Sequence, residues 1–210
     1  MKRFIFLGPP GAGKGTQADF LSDKLSIEHI STGELLRQEI AAKTALGEKA
    51  RLFVESGDLV PDEIVIEILK DHISKIRGAG YILDGFPRNT AQAESLEVHE
   101  IRVDKVILFD IDKETVIRRL SGRLYCPVCK KFYHEEFLPP KEDTVCDICH
   151  RPLVRRKDDD PESIENRIRV YLEQTHPLIE YYETSGKLEH IDANKEVDAI
   201  HHELLERIGR

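Results

Sequence analysis

No run of apolar residues in this 210-residue chain approaches the ~20 needed to cross a bilayer, which argues against a membrane-spanning protein. Positive charge is not in excess. Lys and Arg number 31 against 39 Asp and Glu, a formal net charge of −8, so a general affinity for nucleic acid or anionic lipid is not expected, although a locally basic cleft is permitted. Internal repeats and low-complexity linkers are missing. An export signal is missing too: MKRFIFLG has two basic residues, but its apolar run, Phe4 to Leu7, meets Gly-Pro-Pro at once and reads as a buried strand. The expected compartment is therefore a reducing one, the cytoplasm, where the four cysteines would not form disulfides. The length suits one sizeable core with room for small inserted lobes.

What is present is an alternation of short apolar runs with helical periods, the pattern of a parallel sheet wrapped by helices. Strands are expected at Arg3–Leu7, Ile27–Ile30, Tyr81–Leu83, Lys105–Ile111 and Leu188–Ile191. Helical spacing of three and four links Ala18, Leu21 and Leu25; Val65, Ile68, Leu69 and Ile76; and Val197, Ile200, Leu204 and Ile208. Ser31 with Glu34 forms a capping-box pattern, while Pro61 and Pro161 suit first helical positions.

Gly8-Pro-Pro-Gly-Ala-Gly-Lys-Gly-Thr16 follows the first strand and opens a helix. Glycines let the backbone curl so that successive N–H groups face phosphate oxygens, the helix start adds its positive dipole end, and Lys14 adds a full charge. The spacing of Gly8, Gly13 and Lys14 is that of a phosphate loop, but Gly15 stands where a Ser or Thr usually holds magnesium, and Thr16 follows. A nucleoside triphosphate site is implied; the fate of the phosphate is not.

From Arg123 to Asp160 the helical period stops. Four cysteines and four prolines (Pro127, Pro139, Pro140 and Pro152) fall there, with Pro161 at the edge, and such a stretch needs a staple. Cys126-Pro-Val-Cys129 and Cys146-Asp-Ile-Cys149 are two knuckles 16 residues apart, able to present four thiolates to one tetrahedral ion. Soft ligands favour Zn²⁺, and a filled shell makes the site structural, with about one ion per chain. His134 and His150 are near but surplus to that shell. Two redox dithiols or two disulfides are the competing readings.

Asp84 closes an apolar strand, where a carboxylate can hold Mg²⁺ directly or through water beside the phosphate loop. Arg37 and Arg88 sit beside turns or helix starts, placed to fork onto a dianionic monophosphate. Arg119 and Arg123 precede the cysteine segment, and Arg156 and Arg167 follow it. Phosphoryl transfer is mainly alignment plus positive groups around the moving unit, so this supply of arginines fits it.

The Gly-Lys-Gly-Thr form of the loop, Ser31-Thr-Gly-Glu-Leu-Leu-Arg37 and Asp84-Gly-Phe-Pro-Arg-Asn-Thr-Ala-Gln92 together resemble the adenylate kinases among the nucleoside monophosphate kinases, over nearly the whole chain. The resemblance implies a three-layer α/β P-loop kinase fold: a parallel five-stranded sheet with helices on both faces. The implied core is residues 1–30, 61–122 and 160–210, the AMP-binding lobe 31–60, and the zinc-ribbon-like lid 123–159. It implies reversible transfer from Mg-ATP to AMP, giving two ADP, by a monomer with no nucleic-acid or membrane partner. To ATP it assigns Gly11, Ala12, Gly13, Lys14, Gly15, Thr16, Arg119, Arg123, Phe132, Tyr133 and Lys195. To AMP it assigns Thr32, Arg37, the backbone of Asp58, Leu59 and Val60, Gly85, Phe86, Pro87, Arg88 and Gln92, with Arg156 and Arg167 shared around the phosphates. Catalysis would rest on Lys14, Asp84, Arg88, Arg123, Arg156 and Arg167, with Asp158 and Asp159 orienting arginines. Asn89 stands where Thr is common in the family, and a pyrimidine monophosphate kinase motif shares it, so UMP or CMP as acceptor is the alternative. A zinc ribbon for nucleic acid beside a nucleotide sensor is a second one, opposed by the negative net charge.

Overall fold

The computed structural model describes residues 2–76, 78 and 80–208. Strand β1 (Lys2–Leu7) leads through the phosphate loop into α1 (Lys14–Leu25), and β2 (Glu28–Ser31) into α2 (Thr32–Ala41), α3 (Ala45–Ser56) and α4 (Asp62–Lys75). Next come β3 (Gly80–Asp84), α5 (Thr90–Val98), β4 (Lys105–Asp110) and α6 (Lys113–Ser121). The cysteine segment carries β5 (Arg123–Tyr125) and β6 (Phe132–His134), and a 3₁₀ turn, Lys157–Asp159, closes it. The chain finishes with α7 (Pro161–Val170), a π-helical turn (Tyr171–Thr175), α8 (Leu178–Thr184), β7 (Leu188–Asp192) and α9 (Val197–Ile208).

The main sheet is parallel, in the order β2-β3-β1-β4-β7. Side chains alternate across it, and the core divides accordingly. Phe4, Phe6, Ile82, Ile107 and Phe109 pack with Ala18 and Leu21 of α1 and Ile200, Leu204 and Ile208 of α9. Ile5, Leu7, Leu83, Val106 and Leu108 face the other way, onto Leu69 of α4, Leu96 of α5 and Leu178 of α8. Strands buried on both faces are nearly all apolar, which is why β1 and β4 read so clearly.

Boundaries differ from the sequence reading at a few places. Pro61 is the cap before α4 rather than its first residue, because its ψ of 135° is extended. Ile76 likewise lies beyond the helix end, with ψ 124°. The strand expected at Ile27–Ile30 runs one residue later, and Ile111 falls outside β4.

Residues 123–159 form a small antiparallel unit. β5 pairs with β6, and bridges join Tyr125 to Val154, His134 to Leu138 and Val145 to Pro152. Its core is slight: Leu124, Cys126, Tyr133, Cys146 and Leu153.

Candidate active site

The carboxyl ends of β1, β2 and β3 open into a cavity of about 800 Å³ bounded by the phosphate loop, α2, the Asp58–Val60 segment, the turn after β3 and the cysteine-bearing unit. Open parallel sheets place ligands at this edge.

The phosphate loop is shaped by its own residues. Gly8 has φ 143°, and a Cβ there would lie 2.9 Å from the Phe109 carbonyl oxygen, so only glycine lets β1 turn beside β4. Lys14 folds back, its Nζ donating to the carbonyls of Gly8 (2.9 Å) and Pro9 (2.8 Å). Burial lowers its pKa to about 8, partly opposed by Asp84. Helix α1 has neither a capping side chain nor an acid in its first turn, whereas α2, α3, α6 and α7 each have both. The positive end of α1 is thus left for an external anion. A Cβ on Gly15 would sit 3.3 Å from Asp84 Oδ2, so the Asp84 carboxylate takes the space that a Ser or Thr side chain would need.

Asp84 is held by a residue that sequence reasoning passed over. His29 Nδ1 lies 2.7 Å from Asp19 Oδ1, and its Nε2 approaches Asp84 Oδ2 at 3.5 Å, an ion-pair contact rather than a well-formed hydrogen bond. Burial works against a charged His29, but the two carboxylates outweigh it and raise its pKa to about 9. For Asp84, burial pushes the pKa up, and His29 and Lys14 overcome that and leave it below the ordinary carboxylate range. No local signal marks it: His29 reaches Asp84 only because β2 lies beside β3, which ends in Asp84.

Arginines converge on the cavity from several elements. Arg88 Nε donates to the Gly85 carbonyl at 2.8 Å, and burial lowers its pKa. Arg123 forks onto Asp159, its Nε 2.8 Å from Oδ2. Arg167 Nη1 donates to the Asp158 carbonyl (2.9 Å) and to Asp159 Oδ1 (3.0 Å). Arg156 is sandwiched between Phe132 (4.4 Å) and Tyr125 (4.7 Å), and its buried Nε has no protein partner. Burial and then Arg37 and Arg123 depress the Arg156 pKa, yet a guanidinium starts so high that it stays charged. Asp158 is pushed up by burial and pulled down further by Arg167, Arg37, Arg123 and Arg156.

The remaining expected residues fall unevenly. Thr32, Leu59, Val60, Gly85, Pro87 and Gln92 border the cavity, as do Gly11, Ala12, Gly13, Thr16, Arg119, Phe132 and Lys195. Asp58 borders the cavity, while its carboxylate accepts from Ser56 Oγ and Asn166 Nδ2. One expectation needs correction. The Phe86 side chain is 1% exposed and packs into the core instead of bordering the cavity, since an aromatic ring gains most where it is wholly removed from water. Tyr133 borders the cavity, while its buried hydroxyl turns to the second knuckle and accepts from the Asp147 N–H at 2.9 Å, because a buried hydroxyl needs a partner. Asp159 stands behind the cavity lining, paired with Arg123 and Arg167.

Glu34 is the larger surprise. Ser31 Oγ accepts from the Glu34 N–H at 3.4 Å, but the return half of the capping box is not made. Its carboxylate has charged and phenolic partners instead, which outcompete a neutral backbone N–H. Tyr125 Oη donates to Oε1 at 2.9 Å, Lys130 Nζ lies 3.7 Å from Oε1, and Arg37 Nε (3.3 Å) and Arg156 Nη2 (3.4 Å) face Oε2. Through Glu34, and through Lys157 with Glu55 at 3.3 Å, the 31–60 and 123–159 segments touch.

The four cysteines are free thiols whose sulfurs all lie within 4.8 Å of one another, so they could hold one metal ion. Sγ separations of 3.4 Å (Cys126–Cys149), 3.3 Å (Cys129–Cys146) and 3.8 Å (Cys129–Cys149) suit the corners of a thiolate tetrahedron, whose edges are about 3.8 Å. They are far too long for S–S bonds. His134 is engaged elsewhere: its Nδ1 accepts from the N–H groups of Glu136 and Phe137, so Nε2 carries the proton that faces the Arg118 carbonyl.

Comparison with known proteins agrees with this geometry. A family model described as adenylate kinase matches residues 6–187. A protein named adenylate kinase from Clostridium kluyveri is 42% identical over 99% of this chain and 98% of its own length. Others of that name, from Caldicellulosiruptor bescii and Hydrogenobaculum sp., are each 45% identical, over 99% and 97% of both chains respectively.

Proposed function

The chain belongs to the adenylate kinase family, and from that premise we propose how it moves the terminal phosphoryl group of Mg-ATP onto AMP, giving two ADP. One observation carries the reading: a single cavity is lined by the phosphate loop, by Gln92 and Arg88, and by the guanidinium-bearing Arg37, Arg119, Arg123, Arg156 and Arg167. Two nucleotides would meet there phosphate to phosphate.

The loop amides, the α1 terminus and Lys14 would take the ATP phosphates; Lys14 leaves the Gly8 and Pro9 carbonyls to do so. Arg119 and Lys195 lie toward the donor base, and Arg37, Arg88 and Thr32 toward the acceptor nucleotide. Arg123, Arg156 and Arg167 surround the transferring group, and the free Nε of Arg156 is a donor awaiting an anion. Asp158 and Asp159 keep two of these arginines aligned before substrate arrives. The acceptor phosphate oxygen is already ionised, so no tuned base is required. Asp84 would hold Mg²⁺, which when bound neutralises charge on the bridging phosphates.

The knuckles Cys126, Cys129, Cys146 and Cys149 would hold one structural Zn²⁺, as thiolate softness and a complete tetrahedral set favour. Residues 31–60 act as the AMP-binding lobe and 123–159 as the lid, both closing on the core. The proposed enzyme acts as a monomer.

A coupled assay of ADP formation from ATP and AMP, with and without Mg²⁺, tests the proposal. Mg²⁺-dependent turnover with AMP preferred over UMP, CMP and GMP is expected. Preference for a pyrimidine monophosphate would overturn it.

A further inference from the structure

Gln92 is 2% exposed, yet it borders the cavity. Both ends of its amide are tied to groups of fixed polarity. Its Nε2 donates to Asp62 Oδ1 at 2.6 Å, and its Oε1 accepts from the Arg88 N–H at 2.7 Å. Asn89 completes the set: its Nδ2 donates to Asp62 (3.1 and 3.2 Å), and its Oδ1 accepts from the Gln92 N–H at 2.8 Å while capping α5.

We propose that Asp62 is a positioning residue that sets acceptor-base specificity by locking the Gln92 amide in one orientation. A carboxylate accepting these N–H groups cannot donate, and a backbone N–H cannot accept. Turning the amide over would set oxygen against carboxylate and NH₂ against N–H. A side-chain amide has two donor and two acceptor positions. One of each is used, so one N–H and one oxygen lone pair remain for a ligand. An N–H beside a C=O matches a ring nitrogen acceptor beside an exocyclic amino group, the edge of a 6-aminopurine. A 6-oxopurine offers N–H beside C=O in the opposite sense and would need the inverted amide. Asp62, the first residue of α4, thus imposes the choice without touching the base. This rests on the reading that Gln92 faces the acceptor base.

The test compares kcat and KM for AMP and inosine monophosphate at saturating Mg-ATP in the full chain and in Asp62→Ala, Asp62→Asn and Gln92→Ala. Asp62→Ala is expected to raise KM for AMP with kcat within about threefold. It should lower the AMP-to-inosine-monophosphate ratio of kcat/KM roughly 10- to 100-fold, the worth of a hydrogen bond to an ionised partner. Asp62→Asn keeps a carbonyl acceptor and should lose less; it carries the test if the alanine variant melts too early to assay. Unchanged ratios in both Asp62 variants, with a reduced ratio in Gln92→Ala, would overturn the role of Asp62 alone. An unchanged ratio in Gln92→Ala would overturn the base site itself. A fall in kcat for both acceptors at constant ratio would leave Asp62 merely structural and also overturn the proposal.

Discussion

Replacing Glu34 by Gln preserves volume and removes the charge that joins the 31–60 segment to the 123–159 segment. Tyr125 Oη at 2.9 Å still finds an oxygen, but a charge-assisted bond becomes a neutral one, a loss of about 1 kcal/mol. The Arg156 contact at 3.4 Å is more valuable, because the two side chains are only 7% and 18% exposed. Arg156 keeps its two aromatic faces, so the lost pairing costs about 1–2 kcal/mol rather than the larger penalty of a stranded charge. Lys130, at 3.7 Å and half exposed, adds little. The sum, about 2–3 kcal/mol, shifts the ratio of touching to separated lobes roughly 30- to 150-fold. Small-angle scattering of the nucleotide-free protein reads this directly. A compact chain of 210 residues has a radius of gyration of about 17 Å, and Glu34→Gln should raise the average above the wild-type value. Superimposable scattering curves would refute the reasoning, since nucleotide plays no part in that comparison.

Arg88→Ala should lower kcat by ~10³-fold or more while moving the melting temperature little, because the buried guanidinium is itself costly; near-normal turnover would contradict its role. Cys126→Ser should abolish stoichiometric zinc, lower the melting temperature by roughly 5–15 °C and expose residues 127–150 to protease, with triphosphate binding at the loop retained. Metal analysis of protein purified without chelator checks it, and equal zinc in both proteins would count against the four-sulfur site. Lys14 titrates near 8 because burial disfavours its charge, and bound phosphate should restore that charge. Triphosphate binding at pH 8 should then take up about half a proton, and almost none below pH 6.5 where Lys14 is already charged. Calorimetry in buffers of different ionisation enthalpy measures this; buffer-independent heats at pH 8 would contradict it. Lys14 also makes the fold gain stability as pH rises from 8 toward 10.5, since over that range the unfolded chain binds the proton more tightly.

The sheet was legible because buried parallel strands are apolar throughout, as in Phe4–Leu7 and Val106–Phe109. The phosphate loop and the two knuckles were legible because glycine curvature and thiolate spacing are local constraints carried within a few residues. What escaped was long-range. Glu34 matched a local capping pattern, and nothing within three residues of it announces Tyr125 or Arg156. His29 became meaningful only once β2 lay against β3 in register. Asp62 meets Gln92 across 30 residues. Phe86 was misplaced because a motif fixes where the backbone goes, whereas the direction of an aromatic ring depends on which pocket of the interior is free.

The amino-terminal rim of the sheet carries none of the groups assigned to phosphate. There Arg3 grips Asp104 at 2.9 Å, Tyr81 Oη donates to the Arg102 carbonyl at 2.6 Å, and Lys105 Nζ holds the Arg207 carbonyl at 2.9 Å. Lys105 opens β4 beside Phe4 of β1, so its bond to Arg207 brings the end of α9 to the rim where β1 begins, on the side away from the phosphate loop. A short peptide joining the end of α9 to the start of β1, with new ends cut at the exposed turn near Glu100, would give a circular permutant whose cleft is untouched. The same rim is the natural point for tethering the enzyme to a support.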